Sequence, residues 1–400
     1  MLAARIVAAV ADAAERWRDA DFAPRVRATQ AIAHRTGYTE PVIDYALDAL
    51  FSSIDRSALT ATIASELGAL EALDRFVARP GRPEVTFRAV GPAAIVSSDT
   101  TIGVAIPAFV FALCAKASVT VKDREDHLVA AFAQTIAGER PELRPAMRVE
   151  PWPSTDPAVA QILGEAATVV AYGRSETLEI VRGSLRPDAR FFGFGHRTSI
   201  AYVAREALAD AAAATACARG LATDALLYDG EGCLSVHAAF VERGAAVDPA
   251  TFAAIAARAF DAAAVEFPAG YAEPGAAVAA YARAAAFRAA QGVGASHPGR
   301  GGPHLVVFDP PLDEPPPMLR RTLALYPVDG PHDARALLER HRVALEAVAT
   351  AVPGRPDVEE FAIESGASRL ASLGALQRPA LGGEHGGAGR ILPFVRAIYR

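Results

Sequence analysis

The sequence predicts an α/β protein: a parallel sheet with helices on both faces, followed by a second α/β domain. Three observations carry that expectation. Between residues 85 and 220, short β-branched or apolar runs alternate with stretches of helical periodicity, which is the pattern of parallel strands joined by crossover helices. The chain has 400 residues, enough for two or three domains at about 150 residues each. Its residues are 52% hydrophobic and 22% charged, the balance of a chain that buries a core rather than one that stays disordered.

The elements follow in order. Residues 1 to about 80 read as helices, with apolar side chains at three- and four-residue spacing such as Val42, Ala46, Leu47 and Leu50. Pro80, Gly81 and Pro83 then break the pattern. Strands are expected at 85–90 and 93–96, then a buried helix over 102–115 with Asp99 or Thr100 at its start. A strand over 118–121 ends at Lys122. It is followed by a helix at 128–136, a strand at 147–150, a helix at 158–164, a strand at 167–172, a helix from about 176 to 181 and a strand at 190–192. A long Ala-rich helix is expected over 204–218. A second mixed region follows, with strands at 238–241, 305–308 and 323–327 and helices within 250–264 and 274–290. The proline-rich stretch 309–317 reads as an extended loop. Ligands on a parallel sheet sit at the carboxyl ends of the strands, here near Val96, Lys122, Gly173 and Phe192.

Composition narrows the function. The formal net charge of −6 and pI near 5.9 leave no basic footprint for nucleic acid. The longest apolar run, 102–115, is 14 residues, short of the about 20 that a spanning helix needs. Arg5, Asp12 and Glu15 make the first stretch an amphipathic surface helix rather than a signal peptide. Three cysteines, Cys114, Cys217 and Cys233, show no metal or disulfide spacing and suit a reducing cytoplasm. Only two of the 40 basic residues are lysines, Lys116 and Lys122, and the chain contains no asparagine.

Against that background a few motifs bear chemistry. Cys233 follows Gly232 in the glycine-rich loop Leu227–Cys233. It reads either as a thiolate nucleophile flanked by backbone N–H groups or as a small residue packed in a turn. Cys114 and Cys217 lie in apolar and Ala-rich helices and read as packing. Gly193-Phe194-Gly195-His196-Arg197 lacks the third glycine of the dinucleotide fingerprint. His196 there is a partner for Cys233 or a structural histidine. Gly173-Arg174-Ser175 opens a helix after a strand. Thr177 replaces the second glycine of a serine-nucleophile elbow, so the turn suits an anion better than a nucleophilic serine. Lys122 ends a strand in a chain that otherwise uses arginine, which suggests a ligand hydroxyl or phosphate that needs a compact ammonium.

These segments, in order, resemble a known family. Val119-Thr120-Val121-Lys122, Val169-Val170-Ala171-Tyr172-Gly173, Phe192-Gly193-Phe194-Gly195-His196-Arg197 and Gly232-Cys233-Leu234-Ser235-Val236-His237 carry the likeness, with Leu373-Gly374-Ala375-Leu376-Gln377-Arg378-Pro379 and His385 in the tail. From about 85 to 400 the chain resembles the long-chain fatty acyl-CoA reductases of bacterial bioluminescence, a branch of the aldehyde dehydrogenase superfamily. The resemblance implies an aldehyde-dehydrogenase-like fold. A Rossmann-type cofactor domain would span 1–221, a catalytic domain 222–355, and a segment over 356–400 would return to the first domain or to a subunit interface.

The resemblance also implies NADPH-dependent reduction of an acyl thioester to an aldehyde through acylated Cys233, with NADH as the other possible cofactor. Lys122 matches the lysine that binds the adenosine ribose, Gly173 with Arg174 and Ser175 the pyrophosphate turn, and Gly193 and Gly195 the following strand end. His196 would move the proton. Arg124 would favour a 2′-phosphate, and Asp123 would oppose it. The implied partners are acyl-CoA or an acyl carrier, an acyl-activating synthetase and further copies of the same chain in a homo-oligomer. The chain departs from the family where an asparagine donates to the oxyanion, which leaves backbone N–H groups helped by Thr100. It also has Gly382 and Gly386 where the family has Trp and Asp. A member that binds or transfers acyl groups without hydride transfer is the alternative.

Overall fold

The computed structural model describes residues 1–98, 100–123, 127–152, 157–271, 296–299 and 303–400, and within 272–295 only 275, 278, 279, 282, 285, 286 and 289. Arg124 and Asp99 lie outside the described residues, as does most of the helix expected over 274–290. The chain divides into two compact units, one formed by 1–35, 43–196 and 380–400, the other by 36–42 and 197–379. The boundaries drawn from sequence at 221/222 and 355/356 fall inside one helix and just before another.

The first unit opens with helices α1 (Ala3–Trp17), α2 (Ala23–Thr36), α3 (Glu40–Ser53) and α4 (Arg56–Leu67). Helix α1 buries Ile6, Val7, Val10, Ala13, Ala14 and Trp17, the stripe that a 3.6-residue period dictates. Trp17 packs against Phe51 with ring centroids 4.9 Å apart, and its indole N–H donates to Thr135 Oγ1 at 3.0 Å. Asp55 caps α4 by accepting from Ala58 N at 2.8 Å, and Gly68 ends the helix at φ +91°. The helical region is therefore shorter than expected, and a hairpin begins before residue 80. Strands β1 (Val77–Arg79) and β2 (Arg82–Ala89) pair antiparallel, and β2 also pairs with the C-terminal strand Val395–Tyr399.

A five-stranded parallel sheet follows. It is built from β3 (Ala93–Val96), α5 (Ile106–Cys114), β4 (Val119–Lys122), α6 (Leu128–Glu139), β5 (Met147–Glu150), α7 (Pro157–Glu165), β6 (Thr168–Tyr172), α8 (Ser175–Gly183) and β7 (Arg190–Phe194). The strand order is β5-β4-β3-β6-β7, so the direction of winding reverses between β3 and β6, where doubly wound sheets bind ligands. Ala94, Val96, Val169 and Ala171 pack on Leu163, Ala166 and Val181 of α7 and α8. The start of α5 departs from expectation. Ala105 is its N-cap, with no side-chain cap, because Gly103 first turns the chain at φ +74° and a Cβ there would lie 2.3 Å from Leu50 Cδ2.

In the second unit, β8 (Thr198–Val203), α9 (Ala211–Leu226), β9 (Val236–Glu242), α10 (Pro249–Glu266), β10 (Ser296–Pro298), β11 (Leu305–Phe308), β12 (Thr322–Val328), α11 (Pro331–Arg340), β13 (Leu345–Thr350), α12 (Pro356–Glu364) and β14 (Arg369–Ser372) form a seven-stranded sheet with its helices. Its order is β10-β11-β12-β9-β8-β13-β14, parallel except for β10 against β11. Ala201, Val203, Ala239 and Val241 face a core that includes α9 and α10. Ile200, Tyr202, Ala238 and Phe240 face α11 and α12. Strand β8 is a correction to the sequence reading, which had a helix from 204. Asp210 sets the true start of α9 by accepting from Ala212 N and Ala213 N at 2.9 and 2.8 Å. Among the described residues no helix is long and apolar enough to cross a membrane.

At the carboxyl ends of β8 and β9, buried Glu242 accepts from Tyr202 Oη at 2.5 Å, Arg205 N at 3.0 Å and Arg205 Nε at 2.9 Å, and pairs with Arg355 at 2.7 Å. Burial alone would raise its carboxyl, but the bonds from Arg355, Tyr202 and Arg205 outweigh it and hold the group at about 2. Because the folded value is lowered, the stabilisation is full above the ordinary glutamate range and is lost as pH falls toward 2. Glu242→Gln is therefore expected to lower stability at neutral pH and to flatten its decline on acidification. Urea unfolding from neutral pH to about pH 3 checks this; parallel pH profiles for the two proteins would refute it.

Candidate functional site

The residues singled out from sequence fall on two sheet edges, one in each unit. In the first unit, Lys122 ends β4 and is 7% exposed, while Gly173, Arg174 and Ser175 join β6 to α8. The first i→i−4 bond of α8 runs from Leu178 N to Arg174 O at 3.0 Å, so the N–H groups of Ser175, Glu176 and Thr177 have no carbonyl one turn back. Arg174 and Ser175 are exposed, and Gly173 is half-buried. Gly193 lies within β7 opposite Ala171, and neither Gly193 nor Gly195 has positive φ. The G-x-G stretch is thus a strand end rather than a phosphate-binding turn. Gly193 leaves room for Phe191, whose Cε1 would lie 2.8 Å from a Cβ. His196 is exposed in the loop after β7, and Thr100 is exposed in the loop after β3 with its hydroxyl 3.1 Å from Ser98 Oγ.

This unit also holds a pocket on the face opposite α7 and α8. Val170 and Tyr172 of β6, Phe192 and Phe194 of β7, Ala108 of α5 and His385 of the tail line it. Its volume is about 320 Å³, counting the space open to solvent. Tyr172 and Phe194 stack with centroids 5.3 Å apart, and the His385 ring stands edge-on to Phe194 at 4.1 Å. The tail that closes the pocket is pinned by Glu66, which accepts from the N–H groups of Arg390, Ile391 and Leu392 at 2.6, 3.0 and 3.0 Å. Arg190 donates to Val395 O at 2.7 Å.

In the second unit Cys233 sits half-buried in the loop between α9 and β9. Tyr228, Asp229 and Gly230 lie consecutively in the left-handed region, at φ 55°, 54° and 77°. Such a run is costly for non-glycine residues and persists only where surrounding contacts impose it. Asp229 supplies those contacts. Its carboxylate pairs with Arg320 at 2.6 Å and Arg321 at 2.7 Å and accepts from Gly270 N at 3.2 Å, and its carbonyl accepts from Arg321 N at 3.1 Å.

The far end of the loop is held separately. Ser235 N donates to Gly232 O at 2.9 Å, closing the turn that carries Cys233, and Ser199 Oγ donates to Cys233 O at 2.9 Å. Gln377 Nε2 donates to Asp224 O at 3.1 Å and to Ser235 Oγ at 3.2 Å. Asp224 in turn accepts from Gly374 N and Leu376 N at 2.7 and 3.1 Å. Burial raises the Asp224 carboxyl to about 7 despite those donors.

Sequence reasoning missed Asp229, Arg320, Arg321 and Ser199 as parts of this site, and it missed Tyr38. The segment 36–42 belongs to this unit, and its Tyr38 ring lies 5.9 Å from Tyr228. Burial first, then the charges of Glu231 and Asp229, raise the Tyr38 hydroxyl well above its usual range. The segment packs so closely that a Cβ on Gly270 would overlap Gly37 O. No local signal marks Tyr38. Gln377 and Ser235 did lie in segments that carried the family resemblance. Cys114 and Cys217 are buried, and burial pushes both thiols up to about 12, so neither is suited to form a thiolate.

A doubly wound nucleotide-binding type of sheet, a second α/β unit and a cysteine loop ahead of its central strands define an aldehyde dehydrogenase fold. The chain is similar over 99% of its length to an oxidoreductase from Marinobacter aquaeolei, with 12% identity, TM-score 0.72 and 84% of that chain covered. It is similar over its whole length to an NAD-dependent benzaldehyde dehydrogenase from Corynebacterium glutamicum, with 14% identity, TM-score 0.70 and 86% covered. Aldehyde dehydrogenase 21 from Physcomitrella patens matches equally fully, with 10% identity, TM-score 0.73 and 85% covered. The chain belongs to the LuxC acyl-CoA reductase family, whose model matches residues 1–397. That match takes in the N-terminal helices, which carried no resemblance by motif. No curated protein matches the sequence.

Asp229→Ala would leave two arginine side chains beside an empty acceptor position. The expected cost is about 3–5 kcal/mol in urea unfolding, with faster amide exchange across 227–235. Exchange as slow as in the unaltered protein would remove Asp229 from its role in shaping the loop.

Proposed function

We propose that the protein reduces the acyl group of a thioester to an aldehyde, with Cys233 taking the acyl group and NADPH as the reductant. One observation carries this reading: in a member of an acyl-CoA reductase family, Cys233 is the half-buried cysteine, held in a closed turn by Ser199 and Ser235, while Cys114 and Cys217 are sealed in the core. The thiolate of Cys233 attacks the thioester carbonyl, the C–S bond to the carrier breaks, and the carrier leaves as its thiol. Backbone N–H groups of the loop, with the Thr100 hydroxyl, stabilise the oxyanion. His196 supplies the proton that the departing carrier thiolate takes up. Acyl-CoA, an acyl carrier or an acyl-activating synthetase would each present the same thioester.

The residues of the first sheet fit a nicotinamide dinucleotide. Lys122 is a buried ammonium at a strand end near the switch point, placed to donate to ribose hydroxyls. The first turn of α8, with Arg174, offers N–H groups and a positive charge to a pyrophosphate. Gly193 and Gly195 add no side chain of their own at the end of β7. The dinucleotide supplies the hydride when bound. Arg124, two residues after Lys122 in sequence, favours a 2′-phosphate and hence NADPH, while Asp123 between them favours NADH.

The absence of asparagine favours a second reading, in which Cys233 accepts and passes on an acyl group without reduction. Acyl-CoA with NADPH separates the two, read by absorbance loss and by free CoA thiol. Equal amounts of NADPH oxidation and CoA release are expected; CoA release alone would favour acyl transfer. Cys233→Ala is expected to abolish both signals. Lys122→Ala is expected to raise the KM for NADPH by about tenfold or more, the loss of one hydrogen bond to a charged group. An unchanged KM would take Lys122 out of the cofactor site.

A further inference from the structure

Ser199 occupies an irregular point of the central strand β8. Its neighbours slip in register there on both sides: β9 passes from Val236 to Ala238 opposite Ser199 and Ile200, and β13 passes from Leu345 to Ala347 opposite Thr198 and Ser199. Bulges of this kind re-aim side chains beside active sites. Between these two bulged neighbours, the fully buried Ser199 hydroxyl donates to the Cys233 carbonyl at 2.9 Å.

That bond fixes a peptide plane. The peptide between Cys233 and Leu234 is trans, so the N–H of Leu234 lies in the same plane and points the opposite way from the carbonyl that Ser199 holds. The Gly232 carbonyl is already taken by Ser235 N. Among the described residues the Leu234 N–H donates to no atom. It is a free donor one residue past the nucleophile, oriented by a buried hydroxyl rather than by solvent.

We infer that Ser199 is a positioning residue that turns the Leu234 N–H onto the oxyanion formed at Cys233, replacing a side-chain amide that this chain cannot supply. The inference rests on the reading of Cys233 as the acylated residue. As Sγ bonds to the thioester carbonyl carbon, the π pair moves onto oxygen and the Leu234 N–H donates to it. When the C=O re-forms, the carrier thiolate leaves with the electron pair of the broken C–S bond and takes up a proton.

The test compares two reactions of the same thiol in the full-length protein. Acylation by acyl-CoA without NADPH passes through an oxyanion and is read as single-turnover CoA release. Alkylation of Cys233 by iodoacetamide is a displacement with no oxyanion. Ser199→Ala is expected to slow acylation by about tenfold or more, up to the 10²–10³ typical of a lost oxyanion donor, while alkylation stays within about twofold. Ser199→Thr, which keeps the hydroxyl, should recover most of the acylation rate. Ser199→Cys, nearly isosteric and a weaker donor, should give an intermediate loss and serves if the alanine variant does not fold. Unchanged acylation in Ser199→Ala, or an equal fall in both reactions, would overturn the inference. If unaltered protein releases no CoA, or Cys233→Ala releases as much, the acylation reading itself fails and the inference fails with it.

Discussion

A carboxylate removed from water between two guanidinium groups governs the shape of the cysteine loop. Asp229, Arg320 and Arg321 lie at the amino ends of neighbouring parts of one sheet, and Asp229 reaches both arginines within 2.7 Å. Burying any one of these charges alone would be strongly unfavourable, so the three are stable only together. That requirement holds Tyr228, Asp229 and Gly230 in the left-handed region. The chain leaving α9 is thereby turned back toward β9, and Cys233 emerges on the closed turn between Gly232 and Ser235. An unconstrained loop of this composition would have no reason to adopt three left-handed residues in succession.

The remaining anchors act on different parts of the same loop. Gln377 and Asp224 tie the 373–377 turn to the start and end of the loop through buried amide and carboxylate bonds. Ser199 grips the cysteine carbonyl itself. These bonds come from α9, β8 and the segment after β14, so Cys233 is positioned by rigid elements rather than by the loop that carries it. The first unit uses the same device for its tail, where Glu66 receives three successive N–H groups. In both units a side-chain carboxylate, half-buried at Glu66 and buried at Asp224, satisfies backbone donors that an irregular segment would otherwise leave unpaired.

Much of the architecture was legible in the chain. The parallel strands of the first unit stand close to their expected limits, because strands buried on both faces read as short apolar runs bounded by turn residues. Cys233, Lys122 and the Gly173–Ser175 turn were visible through rare residue types at element ends. Strand β8 was missed because Ala-rich sequence follows Thr198–Val203 directly, and helical periodicity swamped six strand residues. The start of α5 was misplaced because the turn at Gly103 depends on Leu50, 53 residues earlier in the chain.

The sequence by itself determined the class of fold, the order of the parallel strands in the first unit and the one cysteine that stands in a glycine-rich loop, since each is encoded by local periodicity or by residues close together in the chain. Only the tertiary structure decided which groups surround that cysteine. Tyr38, Ser199, Arg320, Arg321 and Gln377 converge on one loop from positions up to 339 residues apart, and no local pattern says that they meet there, even where a segment such as 373–379 carries the family resemblance. Hydrogen bonds and ion pairs depend on distances of a few ångströms between groups that chain folding alone brings together. A pattern of residue types along the chain specifies which faces will be buried, but not which polar groups will meet there.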